Sequence, residues 1–292
     1  MLREDTHPPF YYFLLWTWGQ LIGQTPVTLR LLSWCAYFLG GVVMVRQSLA
    51  IGGRNLQVLT VAGLLAFCSP YPVRFAIEGK SYALLLLLVA LAWWWRRSER
   101  PLLYALASAL AGVTHFYGLF LVLAAAVWDG LKGRTRFAVA ALMAALPGLA
   151  WIVYASDYLF SARAASWIGP PDYALLEETL ARGLGLWPLP KLGLILLLLV
   201  VLRRWGGLHR LSWPEPGVLD RSGLIPSLLM VVRFVLVSFV KPMAFSCCRV
   251  VLVPAVVPVL AVHSVPCTSI ALAAPLLPSE LWLASSGLPP AT

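Results

Sequence analysis

Charge is scarce in this sequence. Only 12% of the 292 residues are Asp, Glu, Lys or Arg, and acids are the scarcer sign, 12 against 22 bases. Soluble domains carry about a quarter charged residues, so a chain with a mainly aqueous surface is excluded. Sulfur ligands are few as well. The five cysteines are Cys35 and Cys68 inside apolar runs, the adjacent Cys247 and Cys248, and Cys267. Neither a zinc-ligand spacing nor a disulfide framework follows from them. A phosphate-cradling Gly-rich loop, a zinc-protease helix and a nucleophile elbow are all missing, which removes the soluble-enzyme chemistries they serve. Residues 1–5, Met1 to Asp5, lack the basic-then-apolar order of a cleavable signal. Insertion into a membrane would therefore use internal segments.

Apolar residues, by contrast, make up 60% of the chain, with a mean hydropathy of +0.82. A spanning helix needs about 20 mostly apolar residues, because the hydrocarbon core is about 30 Å thick and a helix rises about 1.5 Å per residue. Runs of this kind occupy residues 26–45, 55–73, 81–95, 101–128, 137–154, 189–202, 223–240 and 250–265. The pattern predicts an all-α, polytopic transmembrane bundle. The net charge of +10 would suit nucleic acid in a soluble protein. Here the bases sit in short clusters between apolar runs, so they read as topology signals, and no nucleic-acid partner is expected.

Four such clusters would face the cytoplasm: Arg46 with Arg54; Arg96, Arg97 and Arg100; Lys132, Arg134 and Arg136; and Arg203, Arg204, Arg210 and Arg221. Consecutive cytoplasmic clusters require an even number of crossings between them. Run 101–128 has bases on both sides, so a single crossing fails. A tight pair of short, re-entrant-like helices is predicted instead, turning at Thr114-His115-Phe116-Tyr117-Gly118, where Gly118 could supply a positive φ. The outer face then receives residues 3–9, 74–80, the Thr114 turn, 156–188 and 241–249. Residues 10–22 hold Tyr11, Tyr12, Trp16 and Trp18 in only 13 positions and predict an interfacial helix. Residues 173–184 predict an amphipathic surface helix. The bundle domain covers residues 1–265, and residues 266–292 form a low-charge tail on which no structure is forced.

Three outer-face clusters carry ionisable groups. Asp5 and His7 stand before the aromatic helix, with Pro8 and Pro9 fixing the approach. A carboxylate there could act as a general base, hold a sugar hydroxyl or help hold a metal ion; the alternative is a solvated chain end. Glu78, Lys80 and Tyr82 crowd the start of an apolar helix, either on a substrate path or as a solvated loop with Lys80 snorkelling. His115 is a phosphate donor or a satisfied turn residue. Lys241 and Arg249 bracket the last outer loop and suit an anionic phosphate or an interfacial anchor. Arg233 lies inside run 223–240, where it needs a partner or a water-filled cavity.

At these residues the chain resembles bacterial membrane glycosyltransferases of the GT-C superfamily, related to protein O-mannosyltransferases and aminoarabinose transferases. Asp5-Thr6-His7-Pro8-Pro9-Phe10-Tyr11-Tyr12 is similar to the family's Asp-x-His-Pro-Pro-Leu-Tyr-Tyr element, followed by Gly23 and Leu29-Arg30. Ser69-Pro70 with Glu78-Gly79-Lys80-Ser81-Tyr82-Ala83 is similar to its Ser-Pro and Glu-Ala-Arg-x-Tyr-Ala pattern. Thr114-His115-Phe116-Tyr117-Gly118 resembles its Thr-His-Tyr turn, and Lys241-Pro242 with Arg249 a motif near its last common helices. The likeness covers roughly residues 1–260.

The resemblance implies a polyprenyl-phosphate sugar as donor, membrane lipid around it, an unidentified acceptor on the external face and a bacterial inner-membrane location. It implies catalytic or sugar contacts for Asp5 and Glu78, and substrate binding by His7, Lys80, Tyr82, His115, Lys241 and Arg249. No resident cofactor or metal follows from it, and a divalent-metal requirement is left open. Family members usually carry an earlier helix and an acidic external loop supplying the principal base, so a chain starting after them is expected to lack that group, which leaves inactivity of the truncated chain as one expectation. Lys80 replaces the usual Arg, keeping charge but losing the planar fork. The competing expectation is a non-enzymatic multi-pass protein, a transporter or assembly factor, using Glu78 and Arg233 along a polar path.

Overall fold

In the computed structural model of the chain, residues 7–68, 73, 76–159, 216–230, 252–259 and 261–262 are described. Among them every regular element is a helix. Helices α1 (Phe10–Ile22), α2 (Pro26–Gly52), α3 (Leu56–Phe67), α4 (Tyr82–Arg97), α5 (Pro101–Thr114), α6 (Phe116–Leu131) and α7 (Thr135–Tyr154) build the main bundle. Two short helices, α8 (Ser156–Leu159) and α9 (Pro216–Arg221), follow, with further helical turns over residues 224–230 and 253–259. Runs 189–202 and most of 223–240, the amphipathic segment 173–184, Asp5, Arg233, Lys241, Arg249 and the tail 266–292 lie outside the described residues.

Helix α4 sits at the centre, with most of its side chains buried between α2 and α5. Small residues allow that closeness: a Cβ on Gly40 of α2 would lie 3.3 Å from the Leu87 Cα of α4. Helix α7 covers both α5 and α6. It carries Pro147 in its interior, which removes one helical hydrogen bond. The core is otherwise aliphatic and alanine-rich, from Leu85 and Leu86 to Ala141 and Ala145.

Two helix bounds depart from the sequence reading. Helix α2 runs past Val45 to Gly52, with Gly53 as its C-cap; the Arg97 guanidinium donates to the Ala50 carbonyl of the last turn and to that of Gln47 before it. Helix α3 stops at Phe67 rather than residue 73. The Tyr37 hydroxyl donates to the Ala66 and Phe67 carbonyls, at 3.0 and 2.9 Å. The following Ser69-Pro70 disfavours helix by its sequence.

The pair of short helices within run 101–128 is present, and α5 and α6 part at one residue. His115 takes an extended conformation, φ −159° and ψ 143°, and its Nδ1 accepts from the Tyr117 N–H at 3.2 Å, capping α6. This corrects the expected role of Gly118: with a side-chain cap at His115, no left-handed residue is needed. Gly118 lies inside α6 and serves contact instead, as a Cβ there would sit 2.3 Å from the Ala111 carbonyl oxygen.

Among the described residues, α2 and α7 are long and apolar enough to cross a membrane, while α3, α5 and α6 are shorter apolar helices. Only 39% of the most apolar window of α2 and 28% of that of α7 is buried. Val27, Leu31, Trp34 and Phe38 on α2, and Leu142, Leu146 and Val153 on α7, are exposed.

Candidate functional site

Three of the separate sequence motifs meet at one end of the bundle. Pro8 and Pro9 lead into α1, whose buried Tyr11 donates its hydroxyl to the Gly79 carbonyl at 2.7 Å. The same hydroxyl oxygen lies 3.1 Å from Ser33 Oγ of α2, which donates to the Lys80 carbonyl at 3.4 Å. The segment 78–80 is therefore strapped by its backbone to α1 and α2. Gly79 has φ +64°, a value that favours glycine. A Cβ on it would lie 3.4 Å from Arg30 Cγ, which puts Leu29-Arg30 beside the same turn.

The strapped turn presents a carboxylate and an ammonium. Lys80 Nζ is 3.5 Å from Glu78 Oε2, with the Lys80 side chain 62% exposed and that of Glu78 23%. Such a pair contributes little to stability; its significance is that both signs stand together at one rim. Two residues on, Tyr82 begins α4 and its ring lies 5.2 Å from the His115 ring. His7 meets His115 edge-on at 5.1 Å, and Tyr117 stacks on it at 4.3 Å. His115 is thus enclosed by three rings from three motifs.

Burial, and then the charge of nearby His7, hold the His115 imidazole well below its ordinary pKa of 6.5. Because Nδ1 accepts from Tyr117, the neutral ring carries its proton on Nε2 and is a donor there. The unfolded chain takes up a proton near pH 6.5 and the folded chain does not, so stability is full above that pH and is lost as pH falls below it. One proton corresponds to a slope of about 1.4 kcal/mol per pH unit. His115→Asn keeps an oxygen to cap Tyr117 and should remove that portion of the slope in pH-dependent unfolding.

Of the residues expected at the site, His7, Glu78, Lys80, Tyr82 and His115 come together. Asp5, Lys241 and Arg249 lie outside the described residues. No group of three or more His, Cys, Asp or Glu side chains gathers as a metal site among the described residues. Sequence reasoning named Tyr11 within a motif but assigned it no task, and it passed over Ser33, whose only signal was a hydroxyl in an apolar run.

The opposite end holds a second polar cluster, which was not foreseen. Arg96 donates from Nε and Nη2 to Asp129 Oδ2 and Oδ1 at 3.0 and 2.5 Å, and from Nη1 to the Asp220 carbonyl at 2.9 Å. Asp220 also accepts from Trp128 Nε1 at 2.7 Å and from Arg134. Burial opposes ionisation of Asp220, but hydrogen bonds from Arg134 and Trp128 and the charges of Arg96 and Arg134 hold its carboxyl below the ordinary 3.8. These contacts join the ends of α4 and α6 to α9.

The two clusters are separated along α4, which has Tyr82 at one end and Arg96 at the other. Its 16 residues correspond to about 24 Å of helix. No family model, curated protein or solved structure matches this chain.

Proposed function

We propose that this chain is a polytopic membrane glycosyltransferase, with the His7, Glu78, Lys80, Tyr82 and His115 end on the external face and the Arg96 end in the cytoplasm. The observation that carries the reading is the meeting of Tyr11 with Gly79 and of His7 and Tyr82 with His115. These motifs, roughly 30 to 110 positions apart in sequence, each resemble one family as separate strings; their convergence at one rim is what a shared site requires. The outward apolar faces of α2 and α7 support a lipid environment, since large exposed apolar surface is disfavoured in water.

The chemistry follows from the charges. The donor is a sugar on a polyprenyl phosphate. An acceptor hydroxyl attacks the anomeric carbon as a carboxylate, Glu78 or Asp5, takes its proton. The bond between that carbon and the phosphate oxygen breaks, and the lipid phosphate leaves with the electron pair. Lys80, with the Nε2–H of His115 and with Arg249, stabilises the charge growing on that oxygen.

The test is transfer of labelled sugar from polyprenyl-phosphate donors by purified chain in vesicles. Glu78→Gln and Lys80→Ala should each reduce transfer about a hundredfold or more while leaving unfolding unchanged, and Lys80→Arg should restore most of it. Unaltered transfer in both variants, or sugar-independent solute flux with no transfer, would overturn the reading in favour of another enzyme site or a transporter.

A further inference from the structure

The basic end of the bundle contains a cleft of about 440 Å³, lined by Arg96, Arg97, Glu99, Arg134 and Asp220. That volume lies in the range of small-molecule sites, about 300–1,000 Å³. Within two positions of that lining in the chain stand the exposed Arg100, Lys132 and Arg136. The pairing of Arg96 with Asp129 joins the two stretches that carry these cations, and Arg97 reaches the last turn of α2, while Lys132 lies over the Trp128 ring four residues before it at 4.9 Å. The buried acids Asp129 and Asp220 balance Arg96 and Arg134. Among the described residues, Arg97, Arg100, Lys132 and Arg136 then outnumber the exposed Glu99, so this rim carries a net positive charge.

The apolar surface beside this rim is equally informative. Helix α7 starts at Thr135, and its exposed Val139, Leu142, Met143 and Leu146 begin one turn beyond Arg136. A ligand with a negative head in the cleft would have its tail laid along that stripe. We infer that the cleft binds the headgroup phosphate of an anionic phospholipid, with the acyl chains running along α7. Anionic headgroups attract cations at a membrane surface, and basic pockets between helices collect them. The inference rests on the membrane reading above but not on the enzyme activity.

The full chain, purified in neutral detergent, is titrated with phosphatidylglycerol and phosphatidylcholine, and bound lipid is counted by native mass spectrometry. Phosphatidylglycerol should be retained at one or more per chain and phosphatidylcholine should not. Glu99→Gln removes the negative charge from the rim without touching the buried pairs, and should tighten phosphatidylglycerol binding about fivefold; Arg97→Gln should weaken it by a similar factor. Equal retention of both lipids, or no effect of Glu99→Gln, overturns the inference. Displacement of the lipid by millimolar inorganic phosphate would make this a free-anion site and overturns it too. Alkaline extraction of the chain from phosphatidylcholine vesicles separates the two failures: release into solution removes the membrane reading itself, whereas retention with equal lipid binding removes only the headgroup site.

Discussion

Asp129→Ala should destabilise the folded chain by about 3–5 kcal/mol, because it leaves a positive charge in a buried, previously balanced cluster. Asp129 is fully buried and Arg96 is 3% exposed, so solvent screens the inner pair poorly. The two arginines and two aspartates sum to zero charge, and deleting one acid gives the cluster a net +1 that Asp220 alone must serve. Replacing both members of the inner pair, Arg96→Met with Asp129→Leu, keeps the cluster neutral, since Arg134 still pairs with Asp220. That double variant should recover most of the loss. Denaturant unfolding in bicelles measures both. A single variant within 1 kcal/mol of the parent would show that the cluster is not a buried ionic network.

Gly118→Ala should cost about 3 kcal/mol or more, near the upper end for overpacking. The added carbon would meet the Ala111 carbonyl carbon and oxygen at 2.5 and 2.3 Å, and Leu85 Cδ1 at 3.0 Å. Backbone cannot rotate away as a flexible side chain could, so α5 and α6 must separate and the ring contacts at His115 between them must loosen. Gly63→Ala is the matched comparison. Gly63 lies in α3 with no described residue within 4 Å of a new Cβ, and the same substitution should stabilise by up to about 1 kcal/mol through helix propensity. Thermal unfolding of the two variants should move in opposite directions.

The helices were legible where apolar length and punctuation agreed. The aromatic stretch 10–22 is a helix with those bounds; charge parity called for a break in run 101–128, and the Thr114 to Gly118 string placed it within the correct five residues. Parity also grouped Arg46 and Arg54 with the bases near Arg96 and Arg134, and the contacts of Arg97 and Arg96 join those regions. Helix ends set by tertiary partners were not legible. Nothing local to α2 or α3 announces that Arg97 or Tyr37 will satisfy their last carbonyls.

The candidate site was legible as strings and not as geometry. His7, Glu78, Lys80, Tyr82 and His115 stood out because ionisable groups are rare in so apolar a chain. Tyr11 and Ser33 did not, since a tyrosine in an aromatic helix and a serine in an apolar run are ordinary until their hydroxyls find the 79–80 backbone. Asp129 and Asp220 were missed for the complementary reason. Each stands beside bases read as topology signals, and a signal for orientation hid an acid that those bases bury.

Opposite placement of the two ends of α4 is the claim on which the site, the topology and the headgroup cleft all depend. It is tested by single cysteines at Lys80 and Ser98 in a Cys-free chain, reacted with a membrane-impermeant thiol reagent in intact cells. The Lys80→Cys chain should label from outside, and Ser98→Cys only after the membrane is opened. Labelling of both from outside, or of Ser98→Cys alone, would contradict the account.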